Sequence, residues 1–195
     1  MHTVVYVRLS RGIYTVGIAT EGECIGYSLT EAEYMSFGAP VKGVTVDGAL
    51  LDEIICLDER HRALRRALGL LSHSDKNIRA MRARLRECGF GRSAADFATE
   101  ECVRLGYIDE RRQLSLIIPK EANRALRGDR YIRAKLCSQG YSPEDVDGIM
   151  SELSERGEID FCSSFSRLAE KKGALTEGEK RLLARKSGYS LKYVN

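Results

Sequence analysis

No tryptophan occurs in the 195 residues, and proline and histidine appear only three times each. His2, His61 and His73 lie far apart, so a histidine-rich metal site is not expected. The six cysteines (Cys24, Cys56, Cys88, Cys102, Cys137, Cys162) include no C-x-x-C pair. They read as small thiols in a reducing cytosol, not as a disulfide framework or a zinc site. No apolar run reaches the roughly 18 residues of a membrane span, and no charged-then-apolar leader is present. A cytoplasmic protein without a signal peptide is therefore expected. Catalytic signatures are lacking too: there is no G-x-x-x-x-G-K-[ST] loop, no G-x-S-x-G and no H-E-x-x-H. Glu100 and Glu101, neighbours on a helix, point apart. The reading is of a protein that is not an enzyme, with no catalytic residue, no metal and no cofactor.

What is present is segregated charge. The formal net charge is only +3, but residues 1–59 carry 3 basic and 9 acidic side chains, residues 60–135 carry 19 and 9, and residues 136–195 carry 9 and 10. A positive block between acidic and near-neutral flanks suits nucleic acid or an acidic protein surface as partner. Solvated helix faces are the alternative.

Residues 3–29 read as a small antiparallel sheet. Its segments Val4–Leu9, Ile13–Ile18 and Cys24–Tyr27 are rich in β-branched and aromatic residues, with turns at Ser10-Arg11-Gly12 and Glu21-Gly22-Glu23. Thr30-Glu31-Ala32-Glu33 is a capping box for a short helix, stopped by Gly38 and Pro40. Lys42–Val46 is read as a further short strand. From Leu50 the period turns helical, with a composition boundary near residue 57. The first long helix is expected over roughly 58–71 with Leu64, Leu68 and Leu71 on one face. The next carries Ile78, Met81 and Leu85 and stops at Gly89, and a third runs to Gly106. Asp109 is placed to cap the fourth, where Pro119 predicts a kink or break. Gly128 precedes a fifth helix, Ser142-Pro143-Glu144-Asp145 opens a sixth, and Thr176-Glu177-Gly178-Glu179 is a second capping box.

The landmarks repeat. At a step of 51 residues come Arg82/Arg133, Ala83/Ala134, Leu85/Leu136, Gly89/Gly140, Phe90/Tyr141, Gly106/Gly157, Ile108/Ile159 and Asp109/Asp160. Gly188-Tyr189 follows Gly140-Tyr141 at 48. A fixed period with glycines and apolar residues in register marks a tandem helical array, in which stacking buries faces that one unit leaves open. The division is a β-rich segment 1–56, removable as a unit, then repeats over 57–108, 109–159 and a shortened 160–195.

These repeats resemble the RecX family, bacterial regulators of the RecA recombinase. The resemblance is carried by Ala67–Ser72, Leu85-Arg86-Glu87-Cys88-Gly89-Phe90, Leu105-Gly106-Tyr107-Ile108-Asp109-Glu110-Arg111 and Gly128–Leu136. It implies a mainly α fold: three tandem three-helix units, each like a helix-turn-helix module, in a curved elongated array behind the small N-terminal sheet. It also implies binding to RecA and to RecA-coated single-stranded DNA. Through that binding such a regulator limits recombinase, ATPase and co-protease activity, and with them DNA repair and the SOS response. A monomer is expected separately, since a closed array with a shortened end gives no reason for a dimer.

Candidate binding residues are the cations of the positive block. Arg79, Arg82 and Arg86 form a ridge beside the Ile78/Met81/Leu85 stripe, able to meet phosphates or carboxylates. Arg62, Arg65 and Arg66 form a second cluster, and Arg130, Arg133 and Lys135 repeat the theme. The equivalence of Arg82 and Arg133 suggests a shared structural task as strongly as a shared ligand. A stand-alone DNA-binding protein with tandem helix-turn-helix modules is the competing reading, with possible weak direct DNA binding common to both. Against it, none of the third helices carries the polar side chains that base readout needs.

Overall fold

Strand-forming residues fill the first thirty positions, and in the computed structural model, which describes residues 2–20 and 22–194, they build one antiparallel sheet. Strands β1 (His2–Ser10), β2 (Ile13–Thr20), β3 (Glu23–Thr30) and β4 (Thr45–Val46) lie in the order β3-β2-β1-β4. The expected turn at residues 21–23 includes Glu21, which lies outside the described residues. The strand expected over Lys42–Val46 shrinks to Thr45–Val46. A bulge at Val5 shifts the register so that Tyr6 faces Gly17. The Tyr6 ring covers Gly17 and reaches Gly26 on the next strand, occupying the space their side chains would need.

The capping box at Thr30 and Glu33 opens α1 (Glu31–Ser36) as expected. Helix α2 (Gly48–Leu71) is capped by Asp47, whose side chain accepts from the Leu50 N–H at 2.8 Å. This start lies ten residues before the expected 58, because Leu50, Leu51, Ile54 and Leu57 already follow the helical register. The buried face also differs from the Leu64/Leu68/Leu71 face. Ala63 and Ala67 are wholly buried, while those three leucines are only half-buried. The reason is α4 (Arg92–Arg104), which presents Ala94, Ala95, Ala98, Thr99 and Cys102 as its buried residues. Small residues on both helices allow close backbone approach.

Compact packing divides the chain in two. Unit one is Met1–Ser74 with Met81–Leu105, and unit two is Asp75–Ala80 with Gly106–Asn195. In unit one, Val4, Val16, Ile18, Tyr27 and Leu29 of the sheet share a core with Tyr34, Val46, Leu51 and Ile54. Asp58, 7% exposed, adds a polar tie: its Oδ1 accepts from the Ser28 N–H of β3 at 2.9 Å.

The helices keep the 51-residue step. Helices α3 (Ile78–Glu87), α4 and α5 (Glu110–Pro119) recur as α6 (Asp129–Gln139), α7 (Pro143–Glu155) and α8 (Phe161–Glu170), and α9 (Glu177–Ser187) follows α6 at 48. Asp109 and Asp160 cap α5 and α8, and Asp58 stands 51 residues before Asp109. In unit one the helix is prolonged past that position, so Asp58 holds a strand where its counterparts hold a helix end. Pro119 ends α5 as expected, and the chain goes on as a π-helical turn, Lys120–Arg124. Ser142 takes the N-cap conformation of α7, but its side chain makes no cap hydrogen bond.

One junction occurs twice inside unit two. At the first, Asn77 Nδ2 donates to the Gln139 carbonyl at 3.0 Å, and the Arg79 stem lies on Gly140. At the second, Gly128 N–H donates to the Ser187 carbonyl at 3.0 Å, while the N–H groups of Arg130 and Tyr131 both donate to the Gly188 carbonyl at 2.9 and 3.2 Å. In each, the first turn of one helix docks on the glycine stop of the corresponding helix further along. Gly140 and Gly188 have φ of 105° and 73°, and a Cβ at either would overlap the docked turn. Docking on Gln139 and Gly140 is what places Asp75–Ala80 in unit two.

Candidate partner-binding surface

The nine candidate cations fall into two groups once their neighbours are known. Four are engaged. Arg82 Nε stands 2.9 Å from Asp96 Oδ1, and its Nη2 reaches Glu100 at 3.2 Å. Arg133 Nε stands 2.8 Å from Asp147 Oδ1, and Lys135 Nζ lies 2.7 Å from Glu121 Oε1. Arg62 is held more loosely, at 3.8 Å from Asp58. Asp96 and Asp147 are themselves 51 residues apart, so Arg82 and Arg133 perform one structural task twice, bridging α3 to α4 and α6 to α7. The hydrogen bond from Arg133 to Asp147, with the charge of Asp147 behind it, pushes the guanidinium pKa up.

Five candidates have no carboxylate partner among the described residues: Arg65, Arg66, Arg79, Arg86 and Arg130, all exposed. Arg65, Arg66 and Arg86 belong to unit one, where Arg66 Nε donates to Cys88 Sγ at 3.5 Å and Arg86 Nε to the Arg82 carbonyl at 3.4 Å. Arg79 and Arg130, 51 residues apart, belong to unit two, where each lies in the first turn of a helix that docks at a junction. The structure thus takes Arg82 out of the Arg79/Arg82/Arg86 ridge as a free charge.

A basic cleft in unit two has no counterpart among the expected residues apart from Arg130. Arg130, Tyr131, Arg185, Lys186, Gly188 and Tyr189 line a depression of about 350 Å³. No acidic side chain is among them, and Arg127 lies over the Tyr131 ring at 4.8 Å. Tyr131 remains 37% exposed, an aromatic surface framed by guanidinium groups. Tyr189 beneath is buried, and burial together with the charge of Asp129 pushes its hydroxyl up to about 12. Sequence inspection misses this cleft because Arg127–Tyr131 and Arg185–Lys186 lie more than fifty residues apart. Only the Gly140/Gly188 equivalence hints that α6 and α9 meet there.

Among the described residues no three His, Cys, Asp or Glu side chains gather to hold a metal ion, and no helix is long and apolar enough to cross a membrane. The geometry defines a class: a mainly helical protein whose helices recur at a fixed step after a small N-terminal antiparallel sheet. That is the architecture of RecX. The crystal structure of a regulatory protein RecX superposes with a TM-score of 0.74 at 17% identity, over 99% of this chain and 97% of that one. RecX from Lactobacillus salivarius gives 0.61 at 12% identity, over 71% and 93%. The regulatory protein RecX of Leuconostoc mesenteroides subsp. mesenteroides is 21% identical over 164 residues, 84% of this chain. The chain spans about 60% of the length of that relative. No family model matches. The fold is thus the RecX fold, and the expected likeness to RecX is borne out.

Proposed function

We propose that this protein is a RecX-type regulator. It binds RecA and RecA-coated single-stranded DNA in the cytoplasm, restrains recombinase, ATPase and co-protease activity, and thereby regulates DNA repair and the SOS response without chemistry of its own. The observation that carries the reading is the RecX fold running through 99% of the chain. The unpaired arginines give it a physical means. Arg65, Arg66 and Arg86 in unit one, and Arg79 and Arg130 in unit two, stand ready for carboxylates or phosphates.

The test compares binding to bare single-stranded DNA, free RecA and RecA-coated DNA at matched salt, with strand exchange as the functional readout. Much tighter binding to the coated strand, with strand exchange inhibited, is expected. The variant Arg65→Ala/Arg66→Ala/Arg86→Ala should inhibit less, since each charge-assisted hydrogen bond is worth roughly 1.5–3 kcal/mol of binding. Full inhibition by a folded triple variant overturns the assignment of these residues. A second reading, direct binding of DNA by tandem helical modules, is favoured by the acid-free cleft of Arg130, Arg185 and Lys186 beside Tyr131. Equal affinity for bare and coated strands selects it over the first.

A further inference from the structure

The glycine stop of α3 is an unoccupied copy of the junction that unit two fills twice. Cys88, Gly89 and Phe90 correspond to Gln139, Gly140 and Tyr141, and to Ser187, Gly188 and Tyr189. Gly89 has the same left-handed backbone, φ 90°, but is exposed, and a Cβ there would meet nothing within 4 Å. The Cys88 carbonyl accepts no hydrogen bond among the described residues, whereas those of its counterparts Gln139 and Ser187 do. The residues 51 before the docked turn Asn77–Ala80 are Gly26–Leu29, which form part of β3. No helix end can reach the stop from there. In its place lies a cleft of about 260 Å³ in unit one, lined by Tyr27, Ile55, Arg62 and Phe90 with Asp58 and Glu59.

The complementary element is the first turn of α9. It is the helix equivalent to α3 and α6, and Thr176, Glu177, Gly178 and Glu179 are all exposed, with open space over Gly178. Its capping box satisfies the N–H groups of Thr176 and Glu179. The Gly178 N–H, in the place of the Arg130 N–H at the filled junction, has no acceptor among the described residues. Charge matches as well. Asp58 and Glu59 are engaged by the backbone N–H groups of Ser28 and Gly91. Arg66, which has no carboxylate partner among the described residues and donates to Cys88 Sγ at 3.5 Å, puts a positive charge at the stop, and Glu177 is the carboxylate of the docking turn that the capping box leaves unused.

We infer that two copies of this chain associate head to tail, the first turn of α9 of one copy docking on the Cys88–Phe90 stop of the next. The interface is heterologous, uses the register of the two junctions already inside the molecule, and departs from the monomer expected from sequence. It is independent of any action on RecA.

The test is sedimentation of the full chain at low salt, together with cysteine trapping. Mass should rise with concentration and fall back as salt screens the carboxylate–guanidinium pairs. Glu177→Arg should weaken association about tenfold, the effect expected for removing one charge-assisted hydrogen bond. Adding Arg66→Glu to Glu177→Arg should restore it. For trapping, Gly178→Cys is placed in a Cys24→Ser/Cys162→Ser background that removes the two exposed thiols. Mild oxidation should join Cys88 of one copy to the introduced thiol of another, giving a ladder beyond the dimer that vanishes with Cys88→Ser. A mass independent of concentration, or a ladder that survives Cys88→Ser, overturns the proposal.

Discussion

Arg82 and Asp96, 2.9 Å apart across α3 and α4, are reproduced 51 residues later by Arg133 and Asp147 across α6 and α7. An ion pair kept in register with the repeat belongs to the repeat's construction. Its value is modest because both partners of the first pair are about a third exposed, at 35% and 36%. A double-mutant cycle on Arg82→Ala and Asp96→Ala, read by urea unfolding, should give a coupling of about 0.2–1 kcal/mol. Inhibition of strand exchange should change little beyond that loss of stability. A strong functional defect in a fully folded Arg82→Ala protein would return Arg82 to the binding residues.

Glycine substitutions separate docking positions from plain helical ones. At Gly128 a Cβ would overlap the backbone of Gly188 and Tyr189, so neither side can yield by a rotamer change. Gly148, inside α7, has open space around its Cβ position. Gly148→Ala should stabilise by about 0.5–1 kcal/mol, since alanine is the better helix former. Gly128→Ala should destabilise by more than that amount, with a lower melting temperature and faster exchange of the Arg130 and Tyr131 amides as the readouts. Equal effects at the two positions would contradict the close backbone approach.

A carboxylate governs the acid limb of unit one. Burial of Glu33 disfavours its charge, but the Thr30 backbone N–H, His61 and the Thr30 side chain bind it, and the balance lowers its pKa below the ordinary value of 4.5. His61 Nε2 stands 2.9 Å from Glu33 Oε2, joining α1 to α2. Because the folded pKa is the lower one, the stabilisation is complete above the unfolded value and is lost as pH falls through the folded value. The melting-temperature gap between wild type and Glu33→Gln should therefore narrow as pH drops from about 6 to about 3. A gap that widens on acidification would show that Glu33 is not held in its charged form.

Much of this architecture was legible because it is local. Capping boxes at Thr30 and Thr176, the aspartate cap at Asp109 and the stop at Gly140 each depend on a few adjacent residues, and each stands where the pattern put it. Asp58 was not legible. In sequence it is one more acid of a helix, and only the prolongation of α2 to Gly48 turns it toward Ser28. The alanines of α2 and α4 escaped for a related reason, since leucine dominates a hydrophobic pattern even where close packing selects the smaller residue. For the candidate site, periodicity located the arginines but could not say which are neutralised. Asp96, Asp147 and Glu121 come from other helices, and their pairing is a property of packing.

Sequence periodicity presents the fragment 57–195 as a self-sufficient array, and the structure predicts otherwise. The cut would fall within α2, removing the Asp47 cap and the turns that carry Leu51 and Ile54. Leu51 and Ile54, 7% and 0% exposed, share their core with Val4, Val16, Ile18, Tyr27 and Leu29. The cut also strips Asp58 of the Ser28 N–H, leaving its carboxylate beside a surface built to be covered. Loss of a helix cap costs about 0.5–2 kcal/mol, and each fully buried large apolar side chain is worth about 1.5–3 kcal/mol. Unit one should therefore fail to fold in the fragment, while unit two keeps the core formed by Leu114, Ile118, Ile132, Leu136, Phe165 and Tyr189. Hydrogen exchange should show amides of α4 unprotected and those of α6 and α7 protected, and circular dichroism should show a helical signal below that of the intact chain. Asp58→Ala in the full chain isolates one part of the loss, an unsatisfied strand N–H costing about 1–3 kcal/mol. A 57–195 fragment with α4 protected as in the intact protein would establish residue 57 as a true boundary and make the sheet an appendage.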